Sequence, residues 1–232
     1  MKISVVIPAY NEEKVIIRTL KEVKEFLTNS FDDFEIIVVD DKSSDSTLEF
    51  INNFSGIKVL RNLKNHGKGY SVAKGVKAAT GDWILFMDAD NSTRITELNN
   101  FFNYSKDYKL LIASRALPDS KVEIKQNIVK IFLGKTGNLL SRLLIHPQIK
   151  DTQCGFKLLA SDLKFLFDKL TIEGFAFDFE LIFLARKYKF AVKELPVSWY
   201  NNFNSSVRWF DYPKTMLSIF KIRINNFLGK YE

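Results

Sequence analysis

The sequence holds one cysteine, Cys154, and two histidines, His66 and His146. A disulfide framework and a cysteine-cluster zinc site are therefore excluded, and a histidine-built metal site has little material. A reducing, cytoplasmic compartment is expected. Ten Gly and five Pro among 232 residues exclude collagen-like and linker-rich chains. No run of 18 or more apolar residues exists, so no segment reads as a membrane span. The nearest run, 128–145, is broken by Lys130, Lys135 and Arg142 and is suited to lying on a bilayer, not crossing it. Residues 1–8 read as a strand and lack the cleavage-type flank of a signal peptide.

What is present is a globular composition: 46% hydrophobic and 26% charged, including 21 Phe. With no linker, repeat or low-complexity tract, residues 1–232 read as one domain. The formal charge of +7 favours anionic partners: nucleotides, phosphates, an acidic membrane surface or nucleic acid. The charge is spread along the chain, and no RNP-type or helix-turn-helix pattern appears, which argues against nucleic acid.

Short apolar runs at 2–8, 35–40, 57–60, 83–87 and 110–114 alternate with helical spacing at 12–27, 46–54, 68–79 and 95–104. This order predicts an α/β fold with a mostly parallel sheet covered by helices on both faces. Ligands of such sheets bind beyond the carboxyl ends of the strands, where the polar clusters of this chain fall. The second half is less regular. It offers a basic amphipathic stretch at 125–145, a strand at 156–159, helices at 162–169, 177–188 and 212–227, and a strand at 192–197.

Asp88-Ala89-Asp90 closes the fourth strand. Two carboxylates two residues apart on extended backbone point to one side and can share Mg²⁺ or Mn²⁺. The plainer alternative is a helix cap by Asp90 with Asp88 solvated. Asp40-Asp41 with Ser43, Ser44, Asp45 and Thr47 follows the second strand. Asp45 or Ser46 is expected to cap the next helix, while Asp40 can accept hydrogen bonds from a base or ribose. After the first strand, Tyr10 could stack on a base and Glu12 bond a ribose, or Asn11 could simply cap a helix whose first turn carries Glu12 and Glu13.

The turn Asn65–Gly69, which contains Lys68, could bring backbone N–H groups to a phosphate, but it is neither GxxxxGK[ST] nor GxGxxG. Cys154, inside the run DTQCGFK, is expected to be a small semi-buried residue. Asp178 and Glu180, set among phenylalanines, are either helix-start residues or functional acids.

In order, the chain carries VVIPAYNEE, VVDDKSSDST, NHGKG, DAD, SR, DTQCGFK and FAFDFEL. This ordered set resembles the family 2 glycosyltransferases of GT-A fold, and within them the polyprenyl-phosphate sugar transferases. DTQCGFK followed by GFAFDFEL is most similar to the dolichyl-phosphate β-glucosyltransferase branch. The resemblance implies a nucleotide-sugar-binding half at 1–115 and an acceptor half with membrane-interface helices at 116–232.

It places Pro8, Tyr10, Glu12, Val38 and Asp40 at the nucleoside, and Lys68, Asp88 and Ala89 at the donor. Asp88 and Asp90 fall at a Mg²⁺ or Mn²⁺ ion, Arg115 near the donor or acceptor phosphates, and Asp151 on the acceptor side. The implied reaction is an inverting transfer of glucose from UDP-glucose to a polyprenyl or dolichyl phosphate at the cytoplasmic face of a membrane. GDP-mannose is the alternative donor, and a soluble acceptor or a non-catalytic anionic-surface protein are the further rivals. Residues 121–150, with six Lys/Arg and one acid, read as an interfacial segment. A peripheral protein is expected, held by this surface, by an anchoring partner or by self-association. Ser206 stands where relatives carry a Lys, with Arg208 nearby, and Ser92 where the mannosyl branch has a Gln.

Overall fold

The computed structural model describes residues 1–123, 144–200 and 211–232, with side chains from Leu217 onward in the last stretch. The first half alternates as expected: β1 (Lys2–Ala9), α1 (Ile16–Ser30), β2 (Asp33–Asp40), α2 (Thr47–Asn52), β3 (Lys58–Arg61), α3 (Lys68–Ala78) and β4 (Trp83–Met87). A 3₁₀ turn at Ile95–Glu97 leads into α4 (Leu98–Phe102) and then β5 (Leu110–Ser114). Beyond it lie β6 (Lys121–Glu123), β7 (Phe156–Ala160), a 3₁₀ segment Ser161–Asp168, α5 (Phe177–Lys187), β8 (Val192–Pro196), β9 (Ser198–Tyr200) and α6 (Asp211–Phe227).

Seven strands form one sheet in the order β3-β2-β1-β4-β7-β5-β8. All neighbours are parallel except β7, which runs antiparallel to both β4 and β5. Strands from both halves of the chain are thus interleaved in a single sheet. Alternation along each strand feeds two cores. Val6, Ile37, Val39, Phe86 and Leu159 pack with α3 and α5 on one face. Val5, Ile7, Val38, Leu85 and Leu158 pack with α1 and α4 on the other. Helix α1 buries Ile16, Thr19, Leu20, Val23 and Leu27, the stripe its spacing predicted. Helix α3 lies close on β1 through Gly75, where a Cβ would stand 2.3 Å from Val6 Cγ1.

Three expectations shift. Helix α1 begins at Ile16, not at residue 12, because Val15 sits at φ −125°, outside helical geometry; the Glu12 and Glu13 N–H groups before it are held by Thr47 Oγ1 (2.7 Å) and Asp45 Oδ2 (3.2 Å) from the neighbouring loop. Asn11 therefore caps no helix. It sits at φ 57° and accepts the Ser44 N–H (2.8 Å). At α2 it is Asp45 that accepts the Thr47 N–H (3.0 Å). Strands β6 and β9, three residues each and paired in parallel, are too short to show in a hydrophobic pattern.

Candidate active site

The carboxyl ends of β1, β2 and β4 are adjacent, since Ala9 is paired with Asp40 and Val6 with Phe86. The polar clusters after these strands therefore converge. Asp88 leaves β4 with its N–H on the Gly155 carbonyl (2.9 Å) and its Oδ1 2.5 Å from Lys68 Nζ. Asp90 accepts the Ser92 N–H (2.9 Å) and hydroxyl (2.8 Å). Ala89 is buried and its carbonyl is fixed by Thr19 Oγ1 (2.7 Å). Asn91, at φ 52°, turns the chain and holds the Ile95 N–H (3.2 Å).

Negative charge accumulates here. Burial and then the Asp88 charge raise the Asp90 carboxyl above its ordinary range. Burial, Asp90, Asp88 and Asp45, in that order, raise Glu12 to about 7. Lys68 answers from the start of α3. Burial works against its charge, yet Asp88, Asp178 and Asp90 hold it protonated beyond the ordinary lysine range.

Two carboxylates on one strand end, with Asp90 held above its ordinary range by burial and by the Asp88 charge, suit an oxygen-seeking dication. Such an ion takes one or two protein carboxylates and completes its shell with phosphate oxygens and water. Among the described residues no three His, Cys, Asp or Glu gather as a closed ligand set.

Asp40 is fully buried at the end of β2. Its Oδ1 accepts the Ser43 N–H (3.1 Å). Its Oδ2 has no hydrogen-bond partner among the described residues, and Arg61 Nε lies 3.8 Å away. A buried acceptor left in this state has capacity for a donor from a ligand. Tyr10 is 43% exposed at the mouth, as stacking requires. Pro8 pairs with Val39 at the edge of the site. Val38 is in the core, fully buried, so its side chain packs and does not face the cleft.

The acceptor-side candidates form a rigid unit. Asp151 Oδ2 accepts from Arg115 Nε (2.7 Å) and from the Arg115 backbone N–H (3.0 Å). Its Oδ1 takes Arg115 Nη2 (2.9 Å) and the Gln153 N–H (3.2 Å). Both oxygens are occupied. Burial would raise this carboxyl, but Arg115 overrides burial and holds it below the ordinary range. Asp151 is thus built to orient Arg115, which also lies 5.7 Å from the Trp199 ring centre. Cys154 is buried and its thiol is pushed up to about 11, chiefly by burial, so it is an inert packing residue as its type suggested.

Three residues take structural roles that the sequence did not assign to them. Asp41 holds the turn before α3, accepting from Asn62 Nδ2 (2.7 Å), the His66 N–H (3.0 Å) and the Gly67 N–H (2.7 Å). Lys157, fully buried in β7, is ion-paired with Asp178 and donates to the Cys154 carbonyl (2.7 Å). A lysine in the otherwise apolar FKLLA was the available signal. Glu180, fully buried, ties the Thr171 and Ile172 N–H groups (3.0 and 2.9 Å) to Tyr231 OH near the end of the chain. Of the two acids among the phenylalanines, Glu180 is therefore a packing anchor, while Asp178 lies next to the site. Most of the basic stretch at 125–145, together with Ser206 and Arg208, lies outside the described residues.

Comparison with known proteins follows these motifs. Residues 4–163 match the pattern described as Glycosyl transferase family 2. The chain is 35% identical over 214 residues to a dolichyl-phosphate beta-glucosyltransferase of Trichomonas vaginalis, covering 85% of this chain and 65% of that one. It is 31% identical over 249 residues to the dolichyl-phosphate beta-glucosyltransferase of Dictyostelium discoideum, covering 99% and 76%. The chain thus spans roughly two-thirds to three-quarters of the length of these two relatives. Its fold is similar to that of glucosyl-3-phosphoglycerate synthase from Mycobacterium tuberculosis, solved with Mn²⁺, UDP and glucosyl-3-phosphoglycerate. There the TM-score is 0.68 at 17% identity, covering 97% of this chain and 79% of that one.

Proposed function

Starting from the fact that this chain belongs to glycosyltransferase family 2 and has its GT-A fold, we propose that it transfers glucose from UDP-glucose to a polyprenyl phosphate at a membrane surface. The observation that carries the reading is the convergence of Asp88, Asp90, Lys68, Glu12 and Asp40 at one end of the sheet. The relatives' names supply the sugar and the acceptor class.

In this reading Tyr10 stacks on the base, Asp40 Oδ2, which accepts no hydrogen bond from the described residues, accepts a base N–H, and Glu12 takes ribose hydroxyls. Asp88 and Asp90 would hold Mg²⁺ or Mn²⁺, which would supply positive charge to the diphosphate leaving group. Arg115, clamped by Asp151, presents its guanidinium to a phosphate oxygen. The acceptor phosphate is already anionic near pH 7. One of its oxygens forms the bond to the anomeric carbon as the bond to the diphosphate breaks, and the electron pair leaves with UDP. No protein base is required, which fits an Asp151 saturated by Arg115. A single displacement inverts the anomeric centre.

Among the described residues no helix is long and apolar enough to cross a membrane. Helix α6 and the turn after it nonetheless expose Leu217, Phe220, Ile224, Phe227 and Leu228 in one stripe, while Ile219 and Ile222 face the core. Exposed Lys221 and Arg223 flank the stripe. This supports seating on an anionic lipid surface, where the acceptor is presented.

The test is transfer of labelled glucose to a polyprenyl phosphate in detergent micelles, with Mn²⁺, by the wild type and Asp90→Ala. Wild-type transfer from UDP-glucose, lost in the variant, is expected. Transfer from GDP-mannose instead, or undiminished turnover by Asp90→Ala, would refute it. Retention of Tm in the variant separates lost chemistry from lost fold.

A further inference from the structure

Lys68 is a buried cation with two possible partners. Its side chain is 15% exposed, and its ammonium rests on Asp88 Oδ1. Behind it stands the start of α5. Next to Lys68, Gly69 is so close to that helix that a Cβ would lie 2.6 Å from Phe177 Cβ. The residue after Phe177 is Asp178, ion-paired with the buried Lys157. Asp88, Lys68, Asp178 and Lys157 thus form a string of alternating charge. Three sequence segments and β4 meet in it, and its net charge is zero. The Asp88 and Asp178 charges both stabilise the Lys68 ammonium against its burial.

We propose that Lys68 is an exchangeable counter-ion: in the ion-free site it neutralises Asp88, and when a divalent cation and a nucleoside diphosphate arrive it gives up Asp88 and donates to the diphosphate. This rests on the metal-and-nucleotide reading given above. A dication at Asp88 and Asp90 repels an ammonium that leans on the same carboxylate. A lysine head is a compact charge on a flexible four-carbon stem, so it can turn without moving the backbone. Asp178 lies on its buried side and keeps the head from escaping to solvent. The diphosphate then supplies the anionic partner that the metal has taken from it. Lys68 therefore weakens metal binding to the empty site and strengthens nucleotide binding to the metal-loaded one. Metal and nucleotide are coupled through this one side chain, and the coupling is reciprocal.

The test is calorimetric titration of Mn²⁺ alone, and of UDP at saturating Mn²⁺, into wild type, Lys68→Met and Lys68→Gln. Loss of one unit charge beside the metal is expected to tighten Mn²⁺ alone by about ten-fold and to weaken UDP by about ten-fold. A role confined to holding the fold would weaken both together. Shifts of the same sign in the two titrations, or no shift in either, would overturn the proposal while leaving the donor reading intact. A wild type that binds neither Mn²⁺ nor UDP would overturn both. Thermal unfolding of each variant confirms that a folded protein is being titrated.

Discussion

Replacing Gly155 by alanine adds one methyl group at the most crowded point of the site. A Cβ there would lie 2.0 Å from Asp88 Oδ2 and 2.3 Å from Asp88 Cγ, where ordinary van der Waals contact begins at 3.4 Å. The Gly155 carbonyl is also fixed to the Asp88 N–H, so the backbone of β7 cannot withdraw without breaking the β4 pairing. The carboxyl group must swing away. Asp88 is 39% exposed and has solvent to swing into, so the fold survives. Overpacking of this kind costs about 1–3 kcal/mol. Function should suffer more, because displacing a positioning group by about 1 Å can cost about 100-fold in rate. The assay is sugar transfer and Mn²⁺ binding by Gly155→Ala, beside thermal unfolding. Gly174→Ala is the matched control, since a Cβ at Gly174 meets nothing within 4 Å. Full activity and wild-type metal affinity in Gly155→Ala would show that Asp88 needs no such space, and the metal assignment would lose its main support.

Three other perturbations test the same electrostatics and the surface. In the metal-free protein Glu12 carries a pKa of about 7 against an ordinary 4.5, so the folded state binds its proton more tightly across that interval. That contribution is full below the ordinary value and is lost as pH rises towards 7. Glu12→Gln should therefore flatten the fall in urea midpoint between pH 5 and pH 8; a parallel curve would contradict the burial argument. Asp178→Asn strands the buried Lys157 charge and should destabilise by about 3–5 kcal/mol, whereas Lys157→Met with Asp178→Leu should recover most of it, as read by denaturant unfolding. Phe220→Glu with Ile224→Glu should abolish sedimentation with anionic vesicles and leave Tm within a degree or two, since both side chains are exposed; undiminished sedimentation would remove α6 from the membrane contact.

The first half of the fold was legible because its strands are short, apolar and covered on both faces, and because each ends in a polar cluster. The gathering of Asp88, Asp90, Glu12 and Asp40 at one end of the sheet was legible for the same reason. Val38 could not be sorted from them, since a motif gives a position while only the pleat tells which face its side chain takes. Asp151 and Arg115 are 36 residues apart, and no local pattern predicts that one saturates the other. Asp178 and Glu180 show the limit most clearly. They share one helix and one aromatic setting, yet one meets Lys157 from β7 and the other meets Tyr231 from the end of the chain. Partners so distant in sequence are fixed by topology, and hydrophobic periodicity is silent about them.

The antiparallel strand β7 sets an order on the birth of this molecule. It lies between β4 and β5, yet it follows both in the chain. As the polypeptide emerges from the ribosome, the edge of β4 at Trp83–Met87 has no neighbour on that side until about residue 160 has been made. An apolar edge open for that long invites pairing with other nascent chains. The first half of the chain can thus begin its sheet early but cannot close it early. Pausing during synthesis between residues 115 and 160 should leave the chain dependent on chaperones, and fragments ending in that interval should aggregate when expressed alone.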